Sequence, residues 1–126
     1  MDYKTVISVF KLQGDRIEIT INHNASFELD VVKEHFKQVY EVIKLPKSKT
    51  ILDFRNTEFA SIPKESMEYM AKNEYTCDNT SIAIIVNGLS QKILSNFYLR
   101  IIRPKRKTRL FNKIEPAIAW LDTVHL

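Results

Sequence analysis

Apolar positions along the chain are spaced alternately at two residues and at three to four, and each change of spacing predicts a new element. Thr5 to Leu12 is mostly apolar and β-branched, and it predicts a strand. Gln13-Gly14-Asp15 predicts a turn. Arg16 to Asn22 alternates, with Ile17, Ile19 and Ile21 on one face and Arg16, Glu18, Thr20 and Asn22 on the other. That period of two is a strand with one wet face, so the chain opens with a β-hairpin.

Ser26 stands where a helix N-cap is expected, and Val32, Phe36, Val39, Tyr40 and Ile43 then share one helical face that Pro46 ends. Thr50 to Phe54 is a short apolar strand. After a loop over 56–61, Ser61 or Ile62 caps a second helix with Pro63 in its first turn and Met67, Met70 and Ala71 as its buried stripe. Ser81 to Val86 is continuously apolar, the pattern of a strand covered on both faces. Asn87-Gly88 breaks it. Ser90 caps a third helix whose Ile93, Leu94, Phe97, Tyr98, Ile101 and Ile102 recur at helical spacing up to Pro104, and Phe97 and Tyr98 are expected to be core. Thr108 to Phe111 predicts a last strand. Asn112 then caps a helix from Ile114 to about Thr123 that turns Ala117, Trp120 and Leu121 inward.

The resulting order is ββαβαβαβα. Strands alternating with helices after a hairpin predict an α/β fold, with a mixed, mostly parallel five-stranded sheet and four helices. The chain has 126 residues, which suits one domain over 1–126. Hydrophobic residues at 44% and charged residues at 27% exclude wholesale disorder. The N-terminal residues lack a signal-peptide pattern, and no apolar run approaches the roughly 20 residues of a bilayer span. The expected setting is the cytoplasm, for a protein that is not integral to a membrane.

Charge is divided unevenly. Residues 1–78 carry 11 basic and 13 acidic side chains, whereas residues 79–126 carry 8 basic and 2 acidic. No acid stands between Asp78 and Glu115, and Arg100, Arg103, Lys105, Arg106, Lys107 and Arg109 are crowded together in that interval. Pro104 ends the third helix, so the charges after it are expected to project from a solvated loop. Arg103, Lys105, Arg106 and Lys107 are the candidates for polyanion contact.

Three stretches carry a family resemblance. They are Ile51-Leu52-Asp53-Phe54-Arg55-Asn56 before a loop and helix, Ile82-Ala83-Ile84-Ile85-Val86 leading into Ser90, and Arg109-Leu110-Phe111-Asn112 leading into Ala117 and Trp120-Leu121. Together with the order of elements they resemble the STAS domain of bacterial anti-sigma-factor antagonists, most closely its small stand-alone members of unassigned function. The resemblance implies a STAS-like sandwich and a regulatory role through a protein partner, met by the loop at the start of the second helix. Asn56, Glu58, Phe59, Ser61 and Lys64 are the residues it singles out. Antagonists carry there an Asp-Ser-(Ser/Thr)-Gly motif with a phosphorylated serine. Ser61 lies near that position, but the Asp and Gly are absent from Phe59-Ala60-Ser61-Ile62-Pro63.

Catalytic constellations are missing from the sequence. His23, His35 and His125 have no partner at metal-ligand spacing and read as surface residues; Cys77 is a lone cysteine. There is no Gly-x-Ser-x-Gly elbow and no Gly-rich phosphate cradle. Asp53 ends an apolar strand, where open α/β sheets bind ligands, but a single carboxylate is expected to accept loop amides or pair with Arg55. The sequence therefore predicts a non-catalytic binding domain without metal or cofactor. The expected partner is a protein. The alternative is an anionic lipid headgroup or an apolar small molecule bound near Phe97 to Lys107. Nucleic acid ranks last, for want of an aromatic sheet face or recognition helix.

Overall fold

The computed structural model describes residues 2–44, 49–57, 62–73 and 80–124. Its strands are β1 (Asp2–Lys4), β2 (Ser8–Gln13), β3 (Arg16–Ile21), β4 (Lys49–Asp53), β5 (Ser81–Ile85) and β6 (Lys107–Phe111). Its helices are α1 (Leu29–Ile43), α2 (Lys64–Lys72), α3 (Leu89–Phe97) and α4 (Ile114–Thr123), with one π-helical turn, Tyr98–Ile102, continuing α3. The strands lie side by side in sequence order. β1/β2 and β2/β3 are antiparallel, whereas β3/β4, β4/β5 and β5/β6 are parallel.

The sheet has six strands, not the expected five, because the first predicted strand is cut by a turn. Thr5 Oγ1 accepts the Ser8 amide (2.9 Å) and lies 2.7 Å from Ser8 Oγ, while the Thr5 amide donates to the Ser8 carbonyl (2.8 Å). These local bonds outcompete the ladder at residues 5–7 and fold Asp2–Lys4 back onto β2. The β2–β3 hairpin turns on Gly14 and Asp15. Gly14 alone of the two has positive φ (61°), the pattern of a type II′ turn.

The two sheet faces are covered unequally. Ile17, Ile19, Ile21, Leu52, Ile82 and Ile84 point to one face, where they pack with Val32 and Val39 of α1 and with Tyr69, Met70 and Tyr98 from the later helical segments. Ile51, Ala83 and Ile85 point to the other, under Ala117 and Leu121 of α4. Trp120 is only partly buried and packs its ring 5.8 Å from Phe111. Beyond α4 the second face carries ion pairs: Glu18 holds Arg16 on its own strand (2.9 Å) and Lys11 across the hairpin (3.8 Å).

Predicted helix starts are displaced by a few residues. α1 begins at Leu29 behind Glu28, and Ser26 Oγ makes only a long contact (3.5 Å) with the Glu28 amide. Gly88, not Ser90, occupies the N-cap of α3, and Lys113, not Asn112, that of α4. Ser61 and Pro46 lie outside the described residues.

His35, expected at the surface, is buried. Its Nε2 lies 2.9 Å from Ser8 Oγ. Ser8 is 1% and His35 2% exposed, so this Ser–His pair has no path to a substrate and instead ties α1 to β2. Burial lowers the imidazole pKa from 6.5 to about 4. The folded state thus disfavours the proton that the unfolded chain accepts, and stability must fall as pH drops from 6.5 toward 4. Urea titrations should show the parent losing about 2 kcal/mol more than His35→Gln between pH 7 and pH 4.5. Equal losses would show that His35 does not set the acid limb.

Candidate functional site

Of the residues singled out by the STAS resemblance, Asn56 and Lys64 are described, and both lie at the C-terminal edge of the parallel strands. Both are exposed, and Glu58, Phe59 and Ser61 lie outside the described residues. The edge is closely stitched. His23 Nδ1 meets the Asn56 carbonyl (3.0 Å), Thr57 Oγ1 donates to the Ile21 carbonyl (3.3 Å), and Ser66 Oγ donates to that of Phe27 (2.6 Å). Asp53 is occupied: its carboxylate accepts the Arg55 amide (3.0 Å) and two bonds from the Arg55 guanidinium (3.0 and 2.8 Å). Among the described residues, Arg55 is the side chain that bonds the Asp53 carboxylate.

Gln91 carries this stitching into α3. Its amide nitrogen donates to the Thr57 carbonyl (2.9 Å), and its amide oxygen accepts the Asn87 N–H (3.0 Å). Gln91 is therefore turned inward (7% exposed), and Ser95, one turn later, follows it (9%). The consequence is a helix whose apolar stripe is divided. Leu94, Tyr98 and Ile102 are half-buried against the protein, but Leu89 (75% exposed), Ile93 (60%), Phe97 (39%) and Ile101 (61%) look outward. Those four residues recur every fourth position and form one continuous apolar strip. The expectation that Phe97 is core is thus overturned, because a buried glutamine fixed to backbone groups decides the rotation of the helix.

The π-turn extends the strip past the end of α3. The Arg103 N–H donates to the Tyr98 carbonyl five residues back (3.0 Å), and Arg103 takes a left-handed φ of 57°. Lys92 and Arg100 are exposed on the same segment, and Arg103, Lys105, Lys107 and Arg109 are exposed beyond it. An apolar strip bordered by cations, with no acid from 79 to 114, is what the fold presents here.

Arg106 does not share in that surface. It was expected to project from a solvated loop, yet it is 6% exposed. Its guanidinium donates to the Ala71 carbonyl and to the Asn73 carbonyl (2.9 Å) at the end of α2. The last carbonyls of a helix lack intrahelical partners and carry partial negative charge, so a buried cation fits there.

A comparison with family profiles matches residues 10–125 to a domain of unknown function, DUF7793. The chain belongs to the DUF7793 family. No curated protein matches it. Among the described residues of this DUF7793 domain, no cluster of three His, Cys, Asp or Glu side chains is placed to hold a metal ion. None of its described helices is long and apolar enough to cross a membrane.

Exposed Leu89 and inward Gln91 were legible only as departures from the helical repeat: Leu89 precedes the predicted cap and Gln91 interrupts the apolar face. Arg106 carried no sequence signal separating it from its neighbours. Removing it takes a charged donor away from two carbonyls at the end of α2. Arg106→Gln should therefore cost about 2–4 kcal/mol in urea unfolding, against no more than about 0.5 kcal/mol for Lys105→Gln or Lys107→Gln. Equal small costs would place Arg106 in solvent.

Proposed function

We propose that this domain is a non-catalytic binding module, STAS-like in architecture, that docks a protein partner on the outward strip of α3. The observation that carries this reading is the exposure of Leu89, Ile93, Phe97 and Ile101 as one strip beside Lys92, Arg100 and Arg103. Four large apolar side chains left in water on one helix are the mark of an interaction surface. The chemistry asks for a partner segment with an apolar face bordered by carboxylates, and an acidic amphipathic helix meets both needs.

Gln91 links this strip to the loop after β4. A partner lying on α3 therefore reaches Asn56 and Lys64, and the contact surface suggested by the STAS likeness becomes the near end of the same interface. The polyanion candidates Arg103, Lys105 and Lys107 border its far end. Arg106 contributes by holding α2 in place. The setting for such a regulatory module is the cytoplasm. The alternative occupant, anionic lipid headgroups, would use the same strip and the same cations.

Ile101→Glu and Leu89→Glu test the strip, since both positions are exposed and the variants should melt as the parent does, and vesicle retention separates the two occupants. Affinity capture should recover a protein with the parent, lose it with either variant, and weaken as salt rises. Equal capture by parent and variants would contradict the proposal. So would salt-sensitive retention of the parent on vesicles containing phosphatidylserine.

A further inference from the structure

We infer that the cavity enclosed between the sheet and the α2–α3 layer is a binding site for a small neutral molecule with an apolar body and one hydroxyl-type group. This inference rests on the interior of the domain and is independent of the α3 docking surface.

The cavity has a volume of about 60 Å³ and is partly open to solvent. Leu52 and Ile84 form its floor, and Met67 and Met70 of α2 lie over it. A water needs roughly 10–15 Å³, and a dry cavity of about 150 Å³ accepts benzene. The preformed space therefore takes a few heavy atoms, and the flexible thioethers of Met67 and Met70 can yield to admit more.

Its polar lining is Thr50, Ser95, Tyr98 and Asn73, and the Asn73 carboxamide donates to the Met70 carbonyl (3.2 Å). Thr50 sits one step below Leu52 on the same face of β4, toward the N-terminal ends of the parallel strands. α3 runs down toward that end, bringing Ser95 and Tyr98, three residues apart, onto a shared face. The hydroxyls of Thr50, Ser95 and Tyr98 make no hydrogen bond to another described residue, and all three residues line the cavity. Burial pushes the Tyr98 pKa above the ordinary tyrosine range, so it remains a neutral O–H. Three hydroxyls that both donate and accept suit an alcohol or phenol, whereas an ionised group would lose its hydration in an apolar chamber.

The sequence of α3 keeps the chamber open. A close-packed interior would place a bulky apolar residue at the inward centre of this helix. Small Ser95 stands there instead, while Ile93 and Phe97 on either side point outward. The π-turn starting at Tyr98 is a second irregularity at the same wall, and such turns recur at functional sites.

Phenol and benzoate are the probes, titrated into the full ¹⁵N-labelled chain at pH 7. Phenol should shift the amides of Thr50, Ile84, Ser95 and Tyr98 saturably, with a dissociation constant in the millimolar range, and benzoate should bind at least tenfold more weakly. Ser95→Leu fills the chamber and should raise Tm while abolishing the shifts. Tyr98→Phe keeps the ring and should weaken phenol about fivefold, which preserves the test if Ser95→Leu fails to fold. Non-saturable shifts, benzoate binding as tightly as phenol, or phenol affinity unchanged in both variants would overturn the inference.

Discussion

Everything distinctive about this domain follows from its strands being laid down in sequence order. Parallel crossovers are right-handed, so three successive crossovers moving the same way stack α1, α2 and α3 on one face. α4 leaves the last strand and covers part of the other face. α3 therefore stands at the end of its layer, with its π-turn packed against α2. A helix so placed has one flank that the fold does not cover. The rotation of α3 decides what is shown there, and the hydrogen bonds of Gln91 to Thr57 and Asn87 set that rotation.

Two kinds of polar anchor hold the helical layer, and both act on backbone groups. Gln91 fixes the start of α3 to the loop after β4. Arg106, past the π-turn, fixes the connection after α3 to the end of α2. Between the anchors lie Ser95 and the chamber it borders. The polar interior of α3 and its apolar exterior are thus one feature: inward positions given to hydrogen bonding and space leave the bulky residues on the outside.

Period-two and period-3.6 patterning was enough to locate the hairpin, the covered strand Ser81–Ile85 and α4, because each reflects burial along a whole element. Local competition was harder to see. The Thr5–Ser8 turn is built from hydroxyl bonds inside a stretch whose composition suits a strand. The burial of His35 depends on Ser8, 27 residues away, and that of Arg106 on carbonyls more than 30 residues away. Helical spacing identified Ile93, Leu94, Phe97, Tyr98, Ile101 and Ile102 but missed Leu89 and assigned the set to one face. Two stripes, Leu94–Tyr98–Ile102 and Leu89–Ile93–Phe97–Ile101, share that spacing, and only the anchoring of Gln91 tells them apart. The STAS resemblance was an expectation from three sequence stretches and the order of elements, features that speak to architecture more than to activity.

The central claim is the rotation of α3, and paired aspartate substitutions test it at adjacent residues. Ile93 is 60% exposed, whereas Leu94 lines the chamber wall. Urea unfolding should show Ile93→Asp within about 0.5 kcal/mol of the parent, and Leu94→Asp destabilised by about 2 kcal/mol or more as a charge enters an apolar wall. The reverse order, or equal large losses at both positions, would mean that Ile93 belongs to the core and that the outward strip does not exist.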